Sequence, residues 1–181
     1  DDLGVRLSAL KYFITSLKKY LSPGNAQAQV IFDKTIATID ESVEDVRYLL
    51  INLSPKTLNE YGYLVAVEDL VNKLSHLHII NISLTQKNME KRLHPDIEAG
   101  LYRITQELIN NTMKHAAAKT AIVQVSKINN DINITVEDDG KGFNPVILQQ
   151  SKGIGWSNIQ SRVEYLKGKL DVQSEPGKGT S

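Results

Sequence analysis

Glu107, Asn111 and His115 stand at i, i+4 and i+8 in the second half of the chain, with Lys114 beside the last of them. On a helix that spacing stacks a carboxylate, an amide and an imidazole along one stripe, with an ammonium at its edge. Amide and carboxylate oxygens suit a hard cation such as magnesium, and an ammonium meets phosphate oxygens, so the chemistry in question is that of phosphate groups. The same stripe is also what an ordinary solvated helix face looks like. Three glycine stretches follow it. In Asp138-Asp139-Gly140-Lys141-Gly142-Phe143 the glycines let backbone approach a ligand, and the aspartate can accept from an amino group. Gly153-Ile154-Gly155 leads into a helix, whose first amides are free donors at the positive end of the dipole. Glu175-Pro176-Gly177-Lys178-Gly179-Thr180 closes the chain as a turn. Each stretch alone also reads as a tight turn or a glycine helix start. The order, a polar helix stripe followed by three glycine stretches with no Walker lysine motif, is far more specific.

Two kinds of element hold these residues. In the first half, apolar residues fall at Leu3, Leu7, Leu10, Ile14, Leu17 and Leu21, then at Phe32, Ile36, Ile39, Val43, Val46, Leu50 and Leu53. This is the heptad seam of helices that pack on helices. Ser22-Pro23-Gly24-Asn25 breaks the seam, so the segment predicts an antiparallel hairpin. A lone hairpin buries one face of each helix, and a second copy would complete a four-helix bundle; the alternative is a hairpin packed on its own second domain. After Ser54-Pro55 the grammar changes. Helices are expected over Tyr63–Leu77, from Pro95 to about Ala117 with Ile97, Leu101, Ile104 and Leu108 buried, and over about Trp156–Leu166. Strands are expected over Ile79–Leu84, 121–128, 132–138 and about Lys169–Ser174, with Asn129-Asn130-Asp131 turning between the second and third. The fold class is α+β: an N-terminal helical hairpin over 1–56, then a two-layer α/β sandwich with an antiparallel-leaning sheet over 57–181.

Composition narrows the function. The 181 residues carry 21 basic and 21 acidic side chains, so no charge excess argues for nucleic acid or an acidic membrane. There is no cysteine, which excludes disulfides, thiolate zinc sites and cysteine nucleophiles. No apolar run approaches the ~20 residues needed to cross a bilayer, and no signal peptide is visible, so a cytoplasmic location is expected.

From Asn59 to its end the chain resembles the ATP-binding domain of the histidine kinase, gyrase and chaperone ATPase superfamily. Arg103 to Ala116 is similar to that family's N box, Asp138–Gly142 to its first glycine box, Gly153–Gly155 to its second, and Gly179-Thr180 to its glycine–threonine box. The N box, with Asn158 to Val163, resembles sensor histidine kinases of the nitrate- and lipid-sensing kind, and Asp1 to Leu10 resembles their dimerisation helix. The resemblance implies ATP and Mg2+, with Asn111 as the magnesium ligand and Glu107 at the general-base position. It implies that Lys114, His115, Gly153 and Gly155 meet phosphates. Asp138 would bind the adenine amino group, Gly140 and Gly142 would make room, and Thr180 would support the pocket. Phe143 to Lys152 would be a lid over the nucleotide. The implied partners are a second copy in a homodimer and the receiver domain of a response regulator.

The chain departs from that pattern in places. The family's phosphoacceptor histidine precedes the residue matched here by Asp1, which would act as acid or base beside it; the chain as given would bind ATP without being phosphorylated there. Val5 stands where the family often carries a glutamine that helps dephosphorylate the regulator, so that activity is expected to be absent. Trp156 replaces a usual leucine, and a strand expected after the glycine–threonine box is not in the sequence. Rival readings are a same-fold ATPase, an anti-sigma-type serine kinase, or a non-catalytic nucleotide-binding dimer scaffold.

Overall fold

The computed structural model describes residues 2–18, 26–52, 56–76, 80–150 and 154–181. The chain divides into two compact units, Asp1–Leu53 and Ser54–Ser181.

The first unit holds α1 (Asp2–Leu17) and α2 (Ala26–Asn52), packed on each other. They run antiparallel: Lys11 pairs with Asp40, and just past the end of α1 Lys18 sits over the ring of Phe32. Of the expected seam, Ile39 is buried, whereas Leu10 and Leu17 are 46 % and 55 % exposed. The breaker Ser22 to Asn25 lies outside the described residues, as do the side chains of Leu3, Leu7, Leu21, Val43, Val46, Leu50 and Leu53.

The second unit begins with α3 (Lys56–Tyr61) and α4 (Tyr63–His76), separated by Gly62. Helix α4 turns Ala66, Val67, Leu70, Val71 and Leu74 inward as one apolar stripe. Strand β1 (Asn81–Lys87) follows, then α5 (Pro95–Asn111), which opens where Pro95 occupies the first turn and His94 caps Asp96. The helix does not end at Asn111. It widens into a π turn, Thr112–Ala116, and stops where Ala117 adopts the left-handed conformation at φ 52°. Sequence periodicity predicts one continuous helix here and gives no sign of the wider turn.

Strands β2 (Thr120–Ile128) and β3 (Asp131–Asp138) complete a sheet of order β1-β2-β3. The long crossover through α5 makes β1 and β2 parallel, with Asn81 opposite Thr120. The two-residue turn Asn129-Asn130 makes β2 and β3 antiparallel, and Asn129 takes the left-handed conformation that asparagine tolerates. The sheet is therefore mixed. Ala121, Val123 and Val125 face the helix layer and are buried, and the opposite face of β2 is exposed at Ile122 and Gln124. Helix α4 packs on β1, and α5 on both α4 and β3. The short α6 (Val146–Gln150) and α7 (Ile154–Tyr165) follow, α7 packing on α5.

Three expectations are corrected. Lys169 to Ser174 is not a strand: only Ser174 bridges Thr180, with Gln173 and Ser181 exchanging backbone bonds beside it. Among the described residues no neighbouring strand pairs with 169–172, and an extended segment without a ladder partner is not a strand. Strand β1 runs past Leu84 to Lys87 because β2 offers a partner along that whole length. Ile97 is 38 % exposed, in the first turn of α5 before the stripe of Leu101 and Ile104 reaches the core, and Leu108 is only half-buried because it borders an open cleft.

Candidate functional site

A cleft of about 820 Å³ opens within the second unit, between α5 with its π turn, β3, the segment after Gly140, and the start of α7. Glu107, Asn111, Lys114 and His115 all line it, as their spacing on one helix face predicts. Among the described residues, the side chains of Glu107, Asn111 and His115 make no hydrogen bond, so oxygen and nitrogen atoms of three chemical types stand ready for a ligand.

Asp138, the last residue of β3, lines the same cleft and is only 8 % exposed. Its Oδ1 accepts the Gly140 N–H at 2.9 Å, and its Oδ2 lies 3.5 Å from the Thr112 hydroxyl. Burial pushes its carboxyl above the usual range, and the donors Gly140 and Thr112 oppose that. The residue is thus a buried acceptor in the wall of the cleft. Its neighbour Asp139 does something else: its Oδ1 accepts the backbone N–H groups of Lys119 and Thr120 at 2.8 and 2.9 Å, which holds its carboxyl below the usual range and fixes the entry to β2.

The glycines explain themselves by what they touch. A methyl group on Gly140 would come within 2.7 Å of both Ala116 Cβ and Asp138 Oδ1, so this loop can close on the π turn only without a side chain. The closure is fixed by the Lys141 N–H donating to the Ala116 carbonyl at 2.8 Å. Gly142 takes φ 55° and packs against the carbonyl of Glu175, which brings the last turn of the chain onto the first glycine stretch. Gly155, in the first turn of α7, lies against the Glu107 carboxylate. Thr180 accepts the Asp138 N–H at 2.9 Å through its carbonyl, and its hydroxyl is 3.0 Å from that of Ser174. Asp1 and Gly153 lie outside the described residues. Trp156 lines the cleft one residue beyond Gly155.

Two contributors are missing from the sequence reading. Thr112 faces Asp138 only because α5 and β3 meet, and Ser174 ties the Phe143 N–H to the Gly179 carbonyl at 2.9 Å each. A hydroxyl six residues before Thr180 is the only sequence sign of the latter.

Among the described residues no group of three or more His, Asp or Glu is arranged to hold a metal ion. The donors present fit magnesium in its other habit, in which one or two protein oxygens and the phosphates of a substrate share the ion. The Asn111 side-chain amide, which lines the cleft, is an oxygen that could serve in this way.

A buried acceptor at one wall of the cleft and an amide, carboxylate, imidazole and ammonium along another define a nucleotide-binding α/β domain. Residues 96–181 match the family described as histidine kinase-, DNA gyrase B-, and HSP90-like ATPase. The chain is 24 % identical over 176 residues to sensor histidine kinase MctS of Rhizobium johnstonii, covering 96 % of this chain and 38 % of that protein. It is 31 % identical over 172 residues to sensor histidine kinase ComP of Bacillus subtilis, covering 92 % of this chain and 22 % of that one. Among solved structures, the histidine kinase domain of the blue-light activated kinase of Erythrobacter litoralis EL346 superposes with a TM-score of 0.55 at 15 % identity, over 97 % of this chain and 90 % of that one. Histidine kinase AdeS of Acinetobacter baumannii gives 0.54 at 10 % identity, over 96 % and 91 %. These two likenesses speak for the fold. Residues 96–181 therefore form an ATP-binding domain of the histidine kinase, gyrase and HSP90 kind. The chain spans 22 % to 38 % of the length of the curated relatives it matches. Among the described residues no helix is long and apolar enough to cross a membrane.

Proposed function

We propose that the chain is part of the catalytic core of a two-component sensor histidine kinase. In this reading the γ-phosphoryl group of ATP passes to a histidine just upstream of Asp1, and then to an aspartate on the receiver domain of a response regulator. One observation carries it: the buried Asp138 and the Glu107–Asn111–Lys114–His115 stripe line one cleft, an acceptor for the adenine amino group and a set of phosphate-side groups. The antiparallel α1–α2 pair, with Leu10 and Leu17 of its seam exposed, supports a homodimer in which a second copy covers that face. The reading places the domain in the cytoplasm.

Phosphoryl transfer asks little covalent chemistry of a protein; positioning and charge neutralisation do most of the work. Asp138 holds the base, with Gly140 and Gly142 giving the ring room and Thr180 backing the aspartate. Lys114, His115 and the backbone of Gly153 and Gly155 receive the phosphates. Asn111 would hold magnesium, which supplies charge neutralisation across the phosphate oxygens when bound. The acceptor imidazole nitrogen forms a bond to the γ-phosphorus as the bond from phosphorus to the bridging oxygen breaks, and ADP leaves. In this reading Asp1 and Glu107 would be the carboxylates that take the proton from the other ring nitrogen.

The test is a chain extended upstream by its native residues and incubated with ATP labelled on the γ-phosphate. The expected label is acid-labile and alkali-stable, and is lost when the residue before Asp1 is replaced. An acid-stable label would point to a hydroxyl acceptor and a serine kinase, free phosphate alone to an ATPase, and neither product to a nucleotide-binding scaffold.

A further inference from the structure

Thr112 belongs to no glycine stretch and is not one of the polar stripe, yet it is 7 % exposed, lines the cleft, and opens the π turn that ends α5. Its hydroxyl stands 3.5 Å from Asp138 Oδ2, while Oδ1 of the same carboxylate is occupied by the Gly140 N–H at 2.9 Å. Among the described residues no other side chain donates to either oxygen. Gly140 holds one oxygen from the loop side, and Thr112 holds the other from the helix side, across the junction of α5 and β3. A carboxylate gripped at one oxygen can still swing about its χ2; gripped at both, its plane is set.

We propose that Thr112 is a positioning residue for purine recognition, its hydroxyl fixing the plane of the Asp138 carboxylate so that Oδ2 keeps a lone pair aimed at an exocyclic amino group. This rests on the nucleotide-binding reading above and adds a residue that acts through Asp138. The π turn gives the arrangement its sense. Thr112 is where α5 widens, so the same turn that carries Lys114 and His115 at its far end carries the Asp138 brace at its start. The base end and the phosphate end of the cleft are then set by one five-residue element.

A merely structural threonine would weaken every ligand alike, whereas a brace acting through Asp138 matters only for a ligand that offers Asp138 a donor. The experiment compares ADP with purine riboside diphosphate, the same nucleotide without its 6-amino group, by titration calorimetry in the presence of magnesium. Proteins are the native chain, Thr112→Val and Thr112→Ser. The hydroxyl-free valine is expected to weaken ADP binding about tenfold and to leave the amino-free analogue within about twofold, and serine to restore ADP affinity to within about threefold. Equal losses for both ligands with valine, or no loss for ADP, would overturn the proposal while leaving the nucleotide reading in place. Should valine prevent folding, as judged by circular dichroism, Thr112→Ala carries the same comparison. A native chain that binds neither ligand would overturn the nucleotide reading and this inference with it.

Discussion

Gly155 stands directly against Glu107: a methyl group built on the glycine would fall onto the Glu107 carboxylate, 3.2 Å from Cδ and 3.9 Å from Asn111 Oδ1. Gly155 and the polar stripe of α5, far apart in sequence, thus line one cleft. The glycine keeps the first turn of α7 close against the stripe.

Gly155→Ala tests that closeness. The atom displaced is the far end of a flexible side chain, so the fold absorbs the change and the melting temperature stays within about 2 °C. The Glu107 carboxylate must turn away, and affinity for Mg-ATP falls about tenfold. Thermal melts and calorimetry on the same sample separate the two effects.

Arg92 and Glu98 give a prediction about pH. Glu98 is buried, and its carboxylate accepts Arg92 Nη2 at 2.7 Å, Arg92 Nε at 2.9 Å and the Leu93 N–H at 3.1 Å. Burial pushes its pKa up, and the guanidinium with the Leu93 N–H outweighs burial, leaving it below its ordinary value of 4.5. A carboxyl depressed in the folded state adds stability above its unfolded pKa and loses it as pH falls through the folded one. Arg92→Met is therefore expected to lower the melting temperature by about 5 °C at pH 7, with the gap to the native chain closing as pH falls below about 4. Thermal melts at pH 7 and below about pH 4 check this, and a gap that stays constant would contradict it.

Ala117 ends the π turn at φ 52°, a conformation in which its Cβ crowds the following carbonyl. Ala117→Gly relieves this and is expected to stabilise the chain by about 1 kcal/mol, without change in nucleotide affinity. Urea unfolding followed by circular dichroism measures it.

What the sequence revealed and concealed divides along one line. Glu107, Asn111, Lys114 and His115 were legible because four-residue spacing maps onto a helix face without knowledge of anything else. Asp138 and its glycines were legible because glycine beside a strand end announces close backbone approach, and the packing of Gly140 on Ala116 is that approach. Thr112 was not legible: its meaning depends on β3 arriving beside α5, and its own neighbours in sequence say nothing of it. The π turn is likewise invisible to periodicity, being fixed where the Ala116 carbonyl accepts the Lys141 N–H. Lys169 to Ser174 shows the opposite error, since alternation predicts a strand and only a ladder partner makes one. Nothing in the spacing of Arg92 and Glu98 announces that they pair; the burial of Glu98 in the first turn of α5 makes the pair.

That the cleft is an adenine-nucleotide site is tested most directly by titration calorimetry of Mg-ADP into the native chain and Asp138→Ala. The predicted result is one site per chain in the native protein, with affinity reduced at least about thirtyfold in the variant while its circular dichroism is unchanged. A folded native chain that takes up no ADP, or a variant that binds it as tightly as the native chain, would contradict the account.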